Sequence, residues 1–222
     1  MAGDATVRPG GLPARGHLPV TGPVDWAAQY HTPGIGFVLR RRLAWTAAAL
    51  PTRLERVLDV GYGSGIFQYV LAGRPRLSVG IDVHPHASTV RARLAESGLD
   101  ASLVRGSGTS LPFADGSFDA VVIVSALEFM PDPAACLAEC RRVLRARGRL
   151  VCLVPRELRW ADRVFRLLTG KDPEEEFAGG RARVRAAIAS QLGDADRVTR
   201  PAGVPAPLAP YEVYVVERRA AS

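Results

Sequence analysis

The chain of 222 residues is 47% hydrophobic and 23% charged, with 22 Gly, 17 Pro and 3 Cys. That length suits one domain with a sizeable core, and the apolar fraction excludes a mostly disordered chain. The net charge of +7 is spread along the chain, so no segment is a basic tail, and such an excess attracts anions without identifying nucleic acid.

Residues 1–22 read as a flexible leader, rich in Gly and Pro and without the apolar stretch of a secretory signal. No run of eighteen apolar residues occurs, so no membrane-inserted helix is expected and the cytoplasm is the expected location. Residues 23–50 read as an N-terminal helical cap. One helix begins near Asp25 and runs to Tyr30, Pro33 and Gly34 interrupt it, and a second covers Phe37 to Leu50. Arg40, Arg41 and Arg42 on the second helix read as solvated.

Residues 51–222 alternate between short apolar runs and helical stretches. Strands are expected at Val57–Val60, Leu77–Asp82, Ala101–Arg105, Asp119–Val124 and Gly148–Val154. Helices are expected at Ile66–Leu71, Ser88–Ser97, Asp132–Leu144, Leu158–Leu168 and Ala182–Leu192. Continuous apolar runs belong to strands buried on both faces, so the pattern predicts an α/β fold with a mostly parallel sheet. Residues 170–180 read as a solvated connection and Pro201 to Pro210 as an extended loop. Asp196–Thr199 and Tyr211–Glu217 then make an antiparallel edge.

Cys136 and Cys140 lack partners at metal-site spacing and Cys152 sits in an apolar run, so all three read as reduced, buried thiols with no metal. The strongest chemical feature is Asp59-Val60-Gly61-Tyr62-Gly63-Ser64-Gly65, a glycine turn between a buried strand and a helix. Glycines there let backbone approach a ligand closely. The spacing is not the dinucleotide Gly-x-Gly-x-x-Gly, and no Gly-Lys-Ser/Thr follows, which excludes a phosphate-binding P-loop motif. Asp82 ends the next strand, where a carboxylate accepts hydrogen bonds from both ribose hydroxyls.

These residues resemble the class I S-adenosylmethionine-dependent methyltransferases, small-molecule branch, with a Rossmann-like, seven-stranded sheet. The resemblance rests on Val57 to Gly65, on Gly80-Ile81-Asp82 and on Leu111 to Asp119. It extends through Ala126-Leu127-Glu128-Phe129-Met130-Pro131-Asp132-Pro133 and Leu137 to Val154. It implies S-adenosyl-L-methionine as cofactor, Asp59 and the Gly61–Gly65 backbone at its methionyl part, Asp82 at the ribose and Val83 beside the adenine. Ser125 and Ala126 would line its inner side. Relatives often carry an Asp after the third strand; here Gly106-Ser107-Gly108 leaves the Ser107 hydroxyl in that place. Phe129 stands where some relatives have His.

On the acceptor side, Glu128 and His31 are the candidate catalytic bases, an imidazole being the better tuned by its intrinsic range. Trp26, Tyr30, Phe129, Arg156 and Trp160 are the candidate walls and contacts. Glu128 reads alternatively as a solvent-facing residue, and Arg156 as a partner for a structural carboxylate. The expected partner is a small-molecule acceptor. A nucleic-acid methyltransferase and a non-catalytic S-adenosylmethionine-binding protein are the alternatives. The former lacks a concentrated basic patch and the Asn/Asp-Pro-Pro-aromatic motif for base amino groups.

Overall fold

A computed structural model describes residues 11–22, 25–170, 172–173, 177, 179–192, 197–199 and 209–219. The strands are β1 (Leu54–Val60), β2 (Pro75–Asp82), β3 (Ser102–Arg105), β4 (Phe118–Val124), β5 (Leu144–Pro155), β6 (Arg197–Thr199) and β7 (Tyr211–Glu217). The helices are α1 (Ile35–Ala49), α2 (Ile66–Leu71), α3 (Ala87–Glu96), α4 (Pro133–Val143), α5 (Arg159–Thr169) and α6 (Gly180–Gln191). Single 3₁₀ turns span Ala27–His31 and Leu127–Phe129.

The seven strands form one sheet in the order β3-β2-β1-β4-β5-β7-β6. The first five are parallel, and β7 runs antiparallel between β5 and β6. The expected seven-stranded, mostly parallel sheet is therefore present. Tyr211–Glu217 lies one strand in from the edge, pairing along its length with β5 and over Val213–Val215 with β6. The β-branched and aromatic content of β7 suits that half-buried place.

Alternate residues of each central strand enter opposite layers of the core. Val57, Val122 and Val151 pack with Leu39 and Leu43 of α1 and with Val90 of α3. Leu58, Val121 and Leu150 pack with Leu137 of α4 and Val184 of α6. Helix α4 starts where the sequence places it: Asp132 caps it by accepting from the Ala135 N–H at 2.9 Å, with Pro133 in its first turn. Strand β5 begins earlier than expected, at Leu144 opposite Phe118, with a register shift before Ala120 pairs with Arg149.

Three expectations about the N-terminal and C-terminal parts change. The leader is not loose over residues 11–22: Leu18 is in the core and the His17 ring bonds the Arg93 carbonyl at 2.8 Å. Helix α1 is less a separate cap than a layer of the domain, because its apolar stripe lies on the sheet. Within residues 170–180, Pro173 is helical and buried rather than solvated. Residues 201–208 of the expected proline-rich loop lie outside the described residues.

The sheet order reverses between β1 and β4. Open α/β sheets bind ligands at such a switch point, outside the carboxyl ends of the strands. The loops after β1 and β4 meet there. A Cβ placed on Gly61, whose φ is +78°, would overlap the Ala126 side chain, so only glycine fits.

Candidate active site

A cavity of about 730 Å³ opens at this switch point. Its first end is the glycine turn. Asp59, one residue before the end of β1, is buried and accepts from Gln68 Nε2 at 2.9 Å. Burial pushes its carboxyl up to about 7, against the opposing pull of that hydrogen bond. Asp82 ends β2 and turns back to the loop: its Oδ2 accepts from the Gly63 N–H at 2.9 Å and its Oδ1 from the His84 N–H at 3.3 Å. The His84 ring Nε2 lies 3.0 Å from the Gly63 carbonyl oxygen. Val83 is exposed at the rim, and the Ser107 hydroxyl bonds the Thr109 hydroxyl at 2.8 Å.

The second end is built from segments far apart in sequence. Glu128, in the 3₁₀ turn after β4, is 1% exposed, and neither carboxylate oxygen has a hydrogen-bond partner. Gly180 at the start of α6 presses on its backbone so closely that a Cβ there would overlap the Glu128 carbonyl. Burial pushes the Glu128 carboxyl up to about 7, while its own backbone N–H and then the charges of Arg42 and Arg181 pull the other way.

Arg42 is buried too. Its Nη2 donates to the Tyr30 hydroxyl at 2.7 Å and its Nη1 to Ser125 Oγ at 3.1 Å. It lies over the Tyr30 and Tyr211 rings, 5.7 and 5.9 Å from their centres. Arg181 pairs with Asp162 of α5 at 2.8 Å and lies 5.3 Å from the Phe177 ring centre. A chain of aromatic rings covers this end: Trp26 to Phe165 at 5.3 Å, Phe165 to Phe177 at 6.0 Å, and Phe177 to Phe129 at 5.7 Å.

All but two of the residues the sequence puts forward line this one cavity. Gly65 stands back beneath Val90, its role being the left-handed turn that starts α2. His31 also stands outside. A 3₁₀ helix turns 120° per residue, so directing Tyr30 inward carries its neighbour away from the cavity. Glu128 is thus the base candidate that reaches the site, and the solvent-facing reading of it is corrected. Arg156 lines the cavity and pairs with Glu212 at 3.4 Å, the structural carboxylate of the second reading.

Residues 58–152 match the methyltransferase domain family. That segment belongs to the class I, S-adenosylmethionine-dependent methyltransferases. The ubiquinone biosynthesis O-methyltransferase of Thiobacillus denitrificans is 37% identical over 110 residues, covering 48% of this chain and 47% of the relative. The demethylmenaquinone methyltransferase of Thermus thermophilus is 36% identical over 118 residues, covering 50% and 54%. The chain spans about half the length of the curated relatives it matches.

Among solved structures, a geranyl diphosphate methyltransferase in complex with GPP and sinefungin superposes with a TM-score of 0.61 at 15% identity, covering 95% of this chain and 89% of that one. The [4+2]-cyclase SpnF superposes with a TM-score of 0.55 at 21% identity, covering 82% and 81%. These likenesses concern the fold, and a cyclase among them shows that the fold does not set the reaction.

The methyltransferase domain contributes the glycine turn, Asp82 and Glu128. Phe129 apart, the aromatic cover and both arginines come from outside the matched segment, and Arg42, Arg181, Asp162, Phe165 and Phe177 escaped the sequence reading. A signal for Arg42 existed. Leu39, Arg42, Leu43 and Thr46 are the buried stripe of α1 at helical spacing, so the arginine occupies a core position rather than a solvated face. Arg181 stands likewise on one stripe with Val184 and Ile188.

Proposed function

We propose that the protein transfers a methyl group from S-adenosylmethionine to a small, flat, largely apolar acceptor that gives up a proton to Glu128. The observation that carries this reading is the Glu128 carboxyl, buried without a partner in a cavity whose other end is the family's glycine turn. A buried carboxyl with perturbed proton affinity in a cleft is a mark of a reacting site.

The residues present fit the cofactor. Gly61 and Gly63 offer close backbone approach, the buried Asp59 carboxyl suits an amino group, and Asp82 suits the ribose hydroxyls. Val83 and Ser107 would stand on the adenine side, Ser125 and Ala126 on the inner side. When bound, S-adenosylmethionine supplies an activated methyl on a sulfonium, so much of the catalysis is alignment.

The chain's own residues supply the rest. Glu128 accepts the proton released as the acceptor's lone pair becomes a bond to carbon, and an affinity near neutrality matches that task. Arg42 and Arg181 carry the positive charge that steadies the negative charge building on the acceptor atom as its proton leaves for Glu128, before the bond to carbon neutralises it. Tyr30 and Ser125 hold the Arg42 guanidinium in place. The rings of Trp26, Phe129, Phe165 and Phe177 exclude water and suit a flat acceptor. The names of the quinone-pathway relatives accord with a phenol or quinol ring, and an aromatic-lined, mostly apolar cavity disfavours a nucleic-acid strand.

The test is a methyl-transfer assay with isotope-labelled S-adenosylmethionine against hydroquinones, catechols, RNA and DNA, read by mass spectrometry. Label on a ring acceptor is the expected result. Label on nucleic acid, or cofactor binding by calorimetry with transfer to none of these, overturns the reading.

A further inference from the structure

The apolar stripe of α5 leaves the cavity and continues onto the surface. Trp160, Val164 and Leu167 follow at four and three residues' spacing and are 41%, 43% and 85% exposed. Phe165 turns inward to the aromatic cover. The helix thus carries two apolar faces, one on the cavity and one facing outward. On α1, Phe37 is 60% exposed and Val38 beside it is also exposed. Val38, Trp160 and Val164 line the cavity while remaining exposed, so they stand at its mouth. Single exposed apolar residues need no explanation, but a set gathered around one opening does.

Arginines outnumber acids on the two helices that border the mouth. Arg159 and Arg163 of α5 are exposed and make no ion pair among the described residues. Arg40 and Arg41 of α1 are exposed, with Arg41 resting 6.0 Å from the Phe37 ring centre and 5.8 Å from that of Trp45. The one acid of α5, Asp162, is turned to Arg181. A helix with tryptophan and aliphatics on one side and arginines flanking them is built to lie in a membrane interface. No helix of the described residues is long and apolar enough to cross a membrane.

We propose that the α5 and α1 rim docks the cavity mouth onto a bilayer leaflet containing anionic lipid. The apolar side chains enter the headgroup boundary and the arginines meet the lipid phosphates. A nucleic-acid partner would match the arginines but leave the apolar stripe in water. The docking stands on the exposed face; its use, admitting an apolar acceptor directly from the bilayer, rests on the reading of the cavity given above.

The test is co-sedimentation of the full chain with vesicles of phosphatidylcholine alone and of phosphatidylcholine with phosphatidylglycerol, with tryptophan emission followed in parallel. Binding to the anionic vesicles, weakened by salt, with a blue shift that Trp160→Phe diminishes, is expected. Leu167→Glu should weaken binding about tenfold, and so should Arg159→Glu with Arg163→Glu. Neither variant touches the cavity, so cofactor binding by calorimetry stays as in the unaltered chain. No binding to either vesicle, or equal binding by both variants, overturns the proposal. A dimer in solution that Leu167→Glu dissociates also overturns it, because the face then belongs to a second copy. Vesicle binding without any methylated acceptor leaves docking standing and removes the acceptor reading alone.

Discussion

The two ends of the cavity are built on opposite plans. At the glycine turn the carboxylates are already answered by partners at most nineteen residues away in the chain: Asp82 by the Gly63 and His84 N–H groups, Asp59 by Gln68. At the far end no other residue gives Glu128 a hydrogen bond, and its countercharges arrive from α1 and α6. The first end is preformed and needs little of the rest of the fold. The second exists only once residues 30, 42, 128 and 181 have been gathered. A buried carboxyl left unpaired costs stability, and the proposed function sets the proton transfer at this end for that reason.

The sharpest way to break this comparison is Glu128→Gln, which keeps the shape and removes the proton acceptor. Turnover should fall by about 10²–10⁴-fold, with cofactor affinity measured by calorimetry unchanged. The unaltered protein's rate should rise with pH through about 7 and then level off, and the variant should lose that rise. A variant that turns over normally would show that the far end works by alignment alone.

The same substitution sharpens the comparison through stability. A carboxyl whose proton affinity rises on folding is most favourable to the folded state while protonated. Its contribution is full below the unfolded value of 4.5 and is lost as pH rises through the folded value of about 7. Glu128→Gln should therefore unfold like the unaltered chain below about pH 4.5 and be more stable above pH 7, by roughly 2–4 kcal/mol. Urea unfolding of the cofactor-free proteins across that range measures it. Equal stability at pH 8 would mean that the Glu128 charge is solvated after all. A variant both more stable and less active is what a strained functional residue produces.

The same division governs how much the sequence reveals. The glycine turn, Asp82 and the strands between them lie in one short stretch whose side chains meet near neighbours, so local pattern and family resemblance both find them. Helices α2, α3 and α4 fall within a residue or so of their expected bounds for the same reason. Glu128 was visible as a residue past β4, but its burial depends on Gly180, more than fifty residues later. Arg42 misled because a guanidinium in a row of three arginines reads as solvated, although its place on the Leu39, Leu43 and Thr46 stripe told otherwise. The aromatic cover was half legible: Trp26 and Phe129 stand among the expected walls, whereas Phe165 and Phe177 join them only through tertiary packing.

Asp82→Ala tests the preformed end and carries the smallest effect. The carboxylate has two duties, one toward the loop and one toward a ligand's hydroxyls. Removing it should weaken binding of S-adenosylmethionine, or of its demethylated product, by about 1–3 kcal/mol, the worth of hydrogen bonds to a charged group. The loss stays modest because the turn is held by other bonds as well, such as the Gly61 N–H to the Ile81 carbonyl at 2.8 Å. Asp82→Asn separates the two duties. Its amide oxygen can still accept from the Gly63 N–H, but its NH₂ cannot accept from a hydroxyl. If the loop duty dominates, Asn restores most of the affinity; if the ligand duty dominates, Asn stays close to Ala. Calorimetry on the folded variants decides between them. Affinity unchanged in Asp82→Ala would show that the strand-end acid serves the turn alone.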